Sequence, residues 1–364
     1  MNANQGKLTG AVYLDLKKAF DTVHHALLLH KLPSFGISGI EHQWFTDYLF
    51  NRLQYVTIDS ITSDPSNITH GVPQGSILGP LLFVLLINDM HNYIHKCNLI
   101  LYADDAVLYF SSKETGEIES TLNEELSLIH SWLIDNHLII NLKKGKTEFV
   151  LYGTSQKLSK SSDCLIMINN TVINSPDVYE YLGVSLDRTI SLQSQIEKVC
   201  KRAFARLNLL RRIRDQIPAE VAITIYQSMI EPLLVYCCTI YGNLNETGCK
   251  KFQRIQDRGK RIIGSQQTSP VSLKTLRDRK TATLVFKSIK KLGPEFMHNK
   301  FKFVSHNIST RGNNSLLKLP SVRTEVGRKS FEFYGALIFN KLPRELRVEE
   351  SYVVFRRKIK TTLF

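Results

Sequence analysis

The sequence lacks the features that mark several common classes of protein. Its six cysteines form no C-x-x-C pair and have no Cys/His spacing suited to zinc, so we expect scattered reduced thiols rather than a disulfide framework. The longest clear apolar run, LLFVLLI at 81–87, is too short to span a bilayer. The polar first ten residues do not resemble a signal peptide. These absences predict a soluble, intracellular protein with no membrane partner.

What the 364-residue chain does contain is an uneven distribution of charge. Residues 1–189 hold 13 Lys/Arg and 20 Asp/Glu, whereas residues 190–364 hold 34 Lys/Arg and 13 Asp/Glu. An acidic half joined to a strongly basic half indicates a polyanionic partner that is held mainly by the second part. We therefore predict two parts, 1–189 and 190–364, of which the second contacts nucleic acid. Basic side chains line one face of each of two predicted helices, near 198–212 and 251–261, and a solvated helix face is the alternative explanation for each of these stripes.

The apolar patterns predict an α+β first part, an antiparallel sheet with helices on one face, and a mostly helical second part. GAVYLDL (10–16) is typical of a buried strand, and residues 97–110 of two strands around a tight turn. We expect helices over 19–32, 77–94 and 117–139, and further strands near 147–152, 164–168 and 179–186. On the first of these helices, His24 and His25 are expected to be ordinary face residues.

Adjacent carboxylates, Asp104 and Asp105, interrupt the apolar hairpin LILYADDAVLYF. Turns favour Asp, so a solvated turn is the simple explanation. However, two ionised carboxylates held side by side repel each other, and a hard divalent cation would remove that repulsion. A third carboxylate is expected from elsewhere, and Asp15 is the candidate because it ends a strand of similar character.

Five segments together resemble, in order, the palm motifs of reverse transcriptases, most closely those of non-LTR retrotransposons. They are VYLDLKKAFDTV (12–23), GVPQGSILGPLLF (71–83), YADD (102–105), LKKGKTEF (142–149) and YEYLGV (179–184). The resemblance implies a palm in residues 1–189, with part of the fingers, and a basic thumb and C-terminal region in residues 190–364. It also implies RNA-directed DNA polymerisation by two-metal nucleotidyl transfer.

The resemblance assigns roles around the carboxylates. Asp15, Asp104 and Asp105 match the family's metal-binding residues, with the Leu16 carbonyl as a further ligand, and imply two Mg²⁺ ions, with Mn²⁺ as the alternative. Lys146 matches a catalytic lysine near the triphosphate, where a cation can neutralise charge or protonate the leaving pyrophosphate. Without the family, Lys146 would be taken for a surface lysine.

The resemblance also implies a nucleotide-binding set and a primer grip. Phe20 matches the bulky residue that excludes a ribose 2′-hydroxyl, although a core aromatic is the alternative. Gln74 and Gly75 match residues that contact the incoming nucleotide. The primer-grip residues are Tyr181, Leu182 and Gly183. The residues predicted to contact the nucleic-acid backbone are Lys198, Lys201, Arg202, Arg212, Lys251, Arg254, Arg258 and Arg261.

The expected partners are an RNA template, a DNA primer and dNTPs. Relatives in the family have well over a hundred residues before the first palm motif, so the chain is expected to lack most of the fingers, which a separate chain could supply along with an endonuclease. The alternative function is an inactive retrotransposon remnant that only binds nucleic acid, and a purely structural protein is the third hypothesis. A chromosomal target implies the nucleus, with a cytoplasmic ribonucleoprotein as the alternative.

Overall fold

The structure, a computed structural model, describes residues 5–240, 246–264, 271–304, 315–322 and 325–361. The chain divides into two compact units, Gly6–Tyr179 and Glu180–Phe364. Each unit has an apolar core of its own. The boundary predicted from the sequence was residue 189, and the assignment of the two parts as palm and thumb stays a prediction.

The first unit combines one four-stranded sheet with helices and several two-residue strands. The sheet is formed by the four longest strands, and 3-10 turns at Leu32–Phe35 and Asn88–Tyr93 follow two of the helices. In chain order the elements are β1 (Leu8–Leu14), α1 (His25–Lys31), α2 (Gly39–Leu49), β2 (Leu53–Gln54), β3 (Thr57–Ile58), β4 (Ile61–Thr62), β5 (Ser66–Asn67), α3 (Leu78–Ile87), β6 (Asn98–Tyr102), β7 (Asp105–Ser112), α4 (Thr115–Asp135), β8 (Glu148–Tyr152), α5 (Ser155–Leu158), β9 (Met167–Ile168), β10 (Thr171–Val172) and β11 (Val178–Tyr181).

The sheet is antiparallel, with the strand order β6-β7-β1-β8. β1 lies at its centre, and its burial along nearly the whole strand agrees with an apolar sequence that does not alternate with polar residues. Helix α4 packs against β1 and β7, and a Cβ added to Gly10 would come within 2.5 Å of the Ile118 side chain. Glycine at this position therefore lets the helix approach the sheet closely. The predicted strands of the sheet and the long helix α4 are present.

The segment between β1 and α1 differs from the prediction of a helix over 19–32. Only His25–Lys31 is helical, because the preceding residues pair with the 69–72 segment instead: Gly71 N donates to Val23 O (2.8 Å) and Val72 N to Phe20 O (2.9 Å). The two histidines are not ordinary face residues. His24 Nδ1 caps α1 by accepting from Leu27 N, and buried His25 places Nε2 2.6 Å from the Gly71 carbonyl.

The second unit is mostly helical in its described residues. β11 and β12 form a two-stranded hairpin, and a π-helical turn at Tyr226–Ile230 joins two of the helices. After β12 (Val184–Asp187), the helices are α6 (Gln193–Ile213), α7 (Ala219–Ile225), α8 (Glu231–Val235), α9 (Glu246–Ile263), α10 (Leu273–Ile289), α11 (Glu295–His298), α12 (Glu325–Arg328), α13 (Phe331–Asn340), α14 (Arg344–Arg347) and α15 (Tyr352–Lys358).

Two apolar clusters stabilise this unit. One joins α6, α7 and α9 around the fully buried Tyr226 and Phe252. The other joins α10, α13 and α15, where the rings of Phe286 and Phe355 stack with centroids 4.1 Å apart. Among the residues that the structure describes, no helix is both long and apolar enough to cross a membrane.

Candidate active site

Strand register brings the first predicted carboxylate to the end of the sheet. The β1–β7 ladder closes with Leu14 opposite Ala106, so the next residue of each strand is Asp15 on one side and Asp105 on the other. The backbone of Asp15 is fixed by two hydrogen bonds, from its own N to Thr147 Oγ1 (3.1 Å) and from Asn141 N to its carbonyl (2.8 Å). Asp15 and Asp105 therefore lie as cross-strand neighbours, although ninety residues separate them in sequence.

The turn between β6 and β7 carries the other two predicted carboxylates, Asp104 and Asp105. Tyr102 pairs with Asp105, which leaves Ala103 and Asp104 as a two-residue hairpin turn. Ala103 adopts φ +50°, a left-handed conformation that favours glycine. Asp104 is exposed at the tip, while Asp105 is half-buried. One carboxylate is thus free to reorient, and the other is held by the strand.

The electrostatics of Asp105 show that its charge is not neutralised within the fold. Burial is the main cause that raises its pKa, and the negative charges of Asp104 and Asp15 raise the pKa further. The ammonium of Lys146 acts in the opposite direction. A carboxylate whose ionised form is disfavoured in this way gains most from a cation placed beside it.

Lys146 and Asn141 both contact Asp15. Lys146 Nζ lies 3.4 Å from Asp15 Oδ1, and Asn141 Nδ2 donates to Oδ2 at 2.8 Å. The lysine side chain is half-exposed, so this ion pair is weak and easily exchanged for another anion. The structure therefore brings together Asp15, Asp104, Asp105 and Lys146.

The donor set suits a hard divalent cation. Three carboxylates supply oxygen ligands, the kind that Mg²⁺ prefers. The bridge between Leu16 and Ile140 is made by hydrogen bonds of their neighbours. Lys17 N donates to the Ile139 carbonyl, and Asn141 N donates to the Asp15 carbonyl, so the bridge does not use the Leu16 carbonyl. Within the described ranges, no group of three or more His, Cys, Asp or Glu side chains is already arranged as a metal site. The backbone places the three aspartates at one end of the sheet, with Asp104 exposed at the tip of the turn.

The GVPQG loop carries the predicted nucleotide-binding residues, Gln74 and Gly75. Gln74 is exposed, and its Nε2 donates to Asp21 Oδ1 at 2.7 Å. Gly75 has φ +85°, and Gly71 has φ +88° with no room for a Cβ, which would lie 3.0 Å from the Asp21 carbonyl. A polar cavity of about 630 Å³ adjoins this loop, and Asp21, Arg52 and Gln74 are among its lining residues. The three predicted metal carboxylates are not part of this lining.

Phe20 is half-buried and packs against Phe83 of α3, with ring centroids 4.9 Å apart. This contact is what a core aromatic makes, and the predicted role as a gate against ribose stays a prediction.

The predicted primer-grip residues occupy the turn of the β11–β12 hairpin in the second unit. Leu182 has φ +47° and Gly183 has φ +77°. Tyr236 Oη donates to the Leu182 carbonyl at 2.7 Å, and its ring lies against Gly183. The turn is therefore held by Tyr236, the residue that follows α8, while Tyr181 and Gly183 remain accessible.

The eight predicted backbone-contact residues fall into two groups. Two of them are already paired with carboxylates, Lys198 with Glu180 (2.5 Å) and Lys251 with Glu197 (3.5 Å). The other six keep their positive charge free of carboxylate partners in the described chain: Lys201, Arg202, Arg212, Arg254, Arg258 and Arg261.

Comparison with known proteins identifies the family. Residues 1–186 match the family described as reverse transcriptase (RNA-dependent DNA polymerase). The chain belongs to the reverse transcriptase family. The predicted resemblance to non-LTR retrotransposon enzymes is confirmed by the relatives that the chain matches.

Two of these relatives are named as polymerases of mobile elements. The reverse transcriptase chain is 29% identical over 265 residues to the RNA-directed DNA polymerase from mobile element jockey of Drosophila funebris, over 70% of this chain and 28% of that protein. It is 26% identical over 318 residues to the probable RNA-directed DNA polymerase from transposon X-element of Drosophila melanogaster, over 84% of this chain and 33% of that protein. The chain thus spans a third or less of the length of these relatives.

Several residues that surround the aspartates of this reverse transcriptase chain were not predicted from its sequence. Tyr179 stacks on Tyr13 with centroids 4.0 Å apart, and burial together with the charges of Asp105 and Glu148 raises its pKa. Asn141 orients Asp15, and Arg52 shares a cavity with Gln74. Tyr179 and Asn141 lie in or beside quoted motifs, but only the fold shows what they contact.

Proposed function

We propose that the chain catalyses RNA-directed DNA polymerisation, the activity of a non-LTR retrotransposon reverse transcriptase. One observation supports this most strongly: Asp15, Asp104 and Asp105 meet at one end of the sheet with a negative charge that Lys146 only partly offsets. In this proposal, residues 1–189 form the palm and residues 190–364 the thumb and C-terminal region.

The proposed reaction joins a deoxynucleotide to a primer. The primer 3′-hydroxyl oxygen forms a bond to the α-phosphorus of a dNTP, and the bond to the leaving pyrophosphate breaks. Asp15, Asp104 and Asp105, with the Leu16 carbonyl, would hold two Mg²⁺ ions, or Mn²⁺. Bound in such a site, divalent cations lower the pKa of the attacking hydroxyl and stabilise charge on the leaving oxygens.

The chain's own side chains orient the substrates in this proposal. The Lys146 ammonium exchanges its weak contact with Asp15 for the triphosphate, where it offsets developing charge. Gln74, presented by its hydrogen bond to Asp21, contacts the nucleotide beside Gly75, whose φ of +85° favours glycine. Phe20 limits the space at the sugar.

The proposed partners follow from the same activity. An RNA template and a DNA primer lie along the basic second unit through their phosphates. The turn of Tyr181, Leu182 and Gly183 grips the primer end. We place the activity in the nucleus, where chromosomal DNA supplies a target, and a fingers-bearing or endonuclease chain is a further proposed partner.

Primer extension with the full chain tests the proposal. The assay contains an RNA template, an annealed DNA primer, dNTPs and Mg²⁺ and compares wild type with Asp104→Ala. We expect Asp104→Ala to lose at least about 100-fold in extension rate, the scale of removing one preorganised electrostatic contact. Asp163→Ala, which removes an exposed carboxylate outside the site, is the matched control and should extend like wild type.

The outcomes separate three functions. Extension that survives Asp104→Ala would remove the proposed metal-binding triad. If neither protein extends a primer while both still bind RNA, the chain is a remnant that only binds nucleic acid. If neither protein binds nucleic acid, the polymerase assignment for this chain is wrong, because the template-primer is its substrate.

A further inference from the structure

Lys146 lies in a short exposed loop directly before strand β8, and residues 142–146 are here called the lysine loop. Within it, Lys146 N donates to the Lys143 carbonyl at 3.1 Å and closes a turn. The third residue of the turn, Gly145, has φ +82°, the conformation that a type II turn requires at that position. The bond that closes the turn does not use the amide of Gly145, so this donor needs a partner elsewhere.

Glu148, the first residue of β8, supplies that partner. Gly145 N donates to Glu148 Oε1 at 2.9 Å, and Asn174 Nδ2 donates to the same oxygen at 2.7 Å. Asn174 is itself bonded to β8, because Phe149 N donates to its carbonyl at 2.9 Å. Glu148 is buried, whereas the loop that it contacts is exposed. Its side chain therefore connects the lysine loop to the rigid sheet.

The other contacts of the lysine loop lie at its base or are longer. Thr147 N donates to the Asn141 carbonyl at 3.2 Å, which closes the base of the loop. Tyr179 Oη lies 3.5 Å from the Lys146 carbonyl, at the upper limit for a hydrogen bond. Among the described residues, Glu148 thus makes the shortest hydrogen bond between the turn and the rest of the fold.

A buried carboxylate can also be purely structural, and the same unit contains an example. Glu125 is buried and accepts from His95 N at 2.9 Å and from Lys96 N at 3.0 Å. Such bonds to a charged acceptor are strong, and they offset the cost of burying the carboxylate. The turn that Glu125 holds carries none of the predicted site residues. Glu148 differs because the residue after its partner Gly145 is Lys146.

We propose that Glu148 is a positioning residue for Lys146 and acts on it through the Gly145 amide. The inference rests on the proposed function, in which Lys146 moves from Asp15 to the triphosphate. With the turn held, the ammonium starts 3.4 Å from Asp15 Oδ1, beside the carboxylates. A contact that is in place before the reaction lowers the barrier most, and a misplacement of about 1 Å can cost about 100-fold in rate.

Primer extension with the full chain at saturating dNTP tests the role. Glu148→Met keeps the approximate volume but removes the acceptor, and we expect kcat to fall by about 10-fold or more. Glu148→Gln keeps an acceptor oxygen and should stay within about 2-fold of wild type. The affinity for the template-primer, measured by fluorescence anisotropy, should be the same for all three. Glu125→Met is the matched control, and it should extend like wild type at a temperature where urea unfolding shows it folded.

A double-mutant cycle separates positioning from general stabilisation. Lys146→Met removes the ammonium and should slow extension by about 100-fold. If Glu148 acts through the lysine, then adding Glu148→Met to Lys146→Met should cost less than about 2-fold more, because the two changes remove one and the same contribution.

Carbodiimide cross-linking reports on the position of Lys146 without any substrate. This zero-length reagent joins an amine to a carboxylate only where they are in contact, and peptide mass spectrometry measures the Lys146–Asp15 product. We expect that product to fall several-fold in Glu148→Met and to persist in Glu148→Gln. The exposed pair Lys96–Glu124, 2.7 Å apart, is the internal reference and should cross-link equally in every folded Glu148 variant.

Several results would overturn the proposal. If the losses of Lys146→Met and Glu148→Met multiply in the double variant, Glu148 acts independently of the lysine. An equal loss of extension in Glu125→Met would show a general effect of removing a buried carboxylate. An unchanged Lys146–Asp15 cross-link in Glu148→Met would show that the loop needs no such anchor. If the cross-link depends on Glu148 as expected but the wild-type chain extends no primer, the polymerase proposal is contradicted and this one stands.

Discussion

Two half-buried aspartates, Asp105 of the first unit and Asp187 of the second, have opposite electrostatic environments. The pKa of Asp105 is raised by burial and then by the charges of Asp104 and Asp15. Burial would also raise the pKa of Asp187, but hydrogen bonds from Thr189, Ser191 and Leu192 outweigh it and lower the pKa. One carboxylate has other carboxylates as neighbours, and the other is surrounded by donors.

The difference separates a structural carboxylate from one that needs a ligand. Both oxygens of Asp187 accept hydrogen bonds, among them Ser191 N at 2.9 Å and Leu192 N at 2.9 Å, and these bonds organise the turn that leads into α6. Among the residues that the structure describes, Asp105 gains no comparable set of donors. The fold satisfies the charge of Asp187 internally, whereas Lys146 only partly offsets the charges around Asp105. In the proposed function, a bound divalent cation supplies the rest.

We expect the largest effect from the Asp105→Asn substitution, which should slow catalysis. The substitution keeps the size of the side chain and removes one of three charges, so we expect primer extension to fall by at least about 100-fold. Stability in metal-free buffer should stay equal or rise, because repulsion among the carboxylates decreases. Extension assays and urea unfolding of the same preparation measure both quantities.

The comparison would fail if Asp105→Asn unfolded more easily than wild type. That result would mean that the Asp105 charge supports the fold, as that of Asp187 does. The exposed Asp163→Asn variant is the matched control and should change neither activity nor stability.

An intermediate effect is expected for Asp187→Asn, on stability alone. The amide nitrogen cannot accept hydrogen bonds, so buried or half-buried donors lose a partner, at a cost of about 1–3 kcal/mol in the free energy of unfolding. Urea unfolding at neutral pH measures the loss. Primer extension under conditions where the variant stays folded should be close to that of wild type.

The difference in stability between wild type and Asp187→Asn should depend on pH. The pKa of Asp187 is lower in the folded chain than its unfolded value of about 3.9, so its stabilising contribution is present above that pH. The contribution is lost as the pH falls through the lowered folded pKa. The stability difference between wild type and Asp187→Asn should therefore shrink below about pH 4. A difference that stays constant down to about pH 2 would contradict the hydrogen-bond explanation.

The smallest effect is expected for Ala103→Gly in the turn beside Asp104. Glycine removes the strain of φ +50° from the folded state, which is worth about 1 kcal/mol of stability. Glycine also increases the entropy of the unfolded chain, which lowers the stability by about 0.4–1 kcal/mol. We expect a change in the free energy of unfolding below about 1 kcal/mol and nearly unchanged extension. A large loss of extension would show that the rigidity of this turn, and not only its carboxylates, is needed for the site.

Much of the sheet was predictable because its strands have long apolar runs. The predicted strand at 10–16, the hairpin at 97–110 and the helix at 117–139 are confirmed within a few residues. The helix predicted from residue 19 was wrong in its first six positions. There the chain pairs with the Gly71 loop some fifty residues later, and a non-local contact of this kind leaves no periodic signal in the local sequence.

The sequence by itself determined the types of residue available for chemistry, namely the adjacent aspartates, the ordered motifs and the basic second half. Only the tertiary structure decided which of them meet. Register sets Asp15 beside Asp105, Asn141 fixes the orientation of Asp15, and Glu148 holds the turn that carries Lys146. The physical reason is that electrostatic interactions depend on distance in space, and the spacing of residues along the chain does not specify that distance.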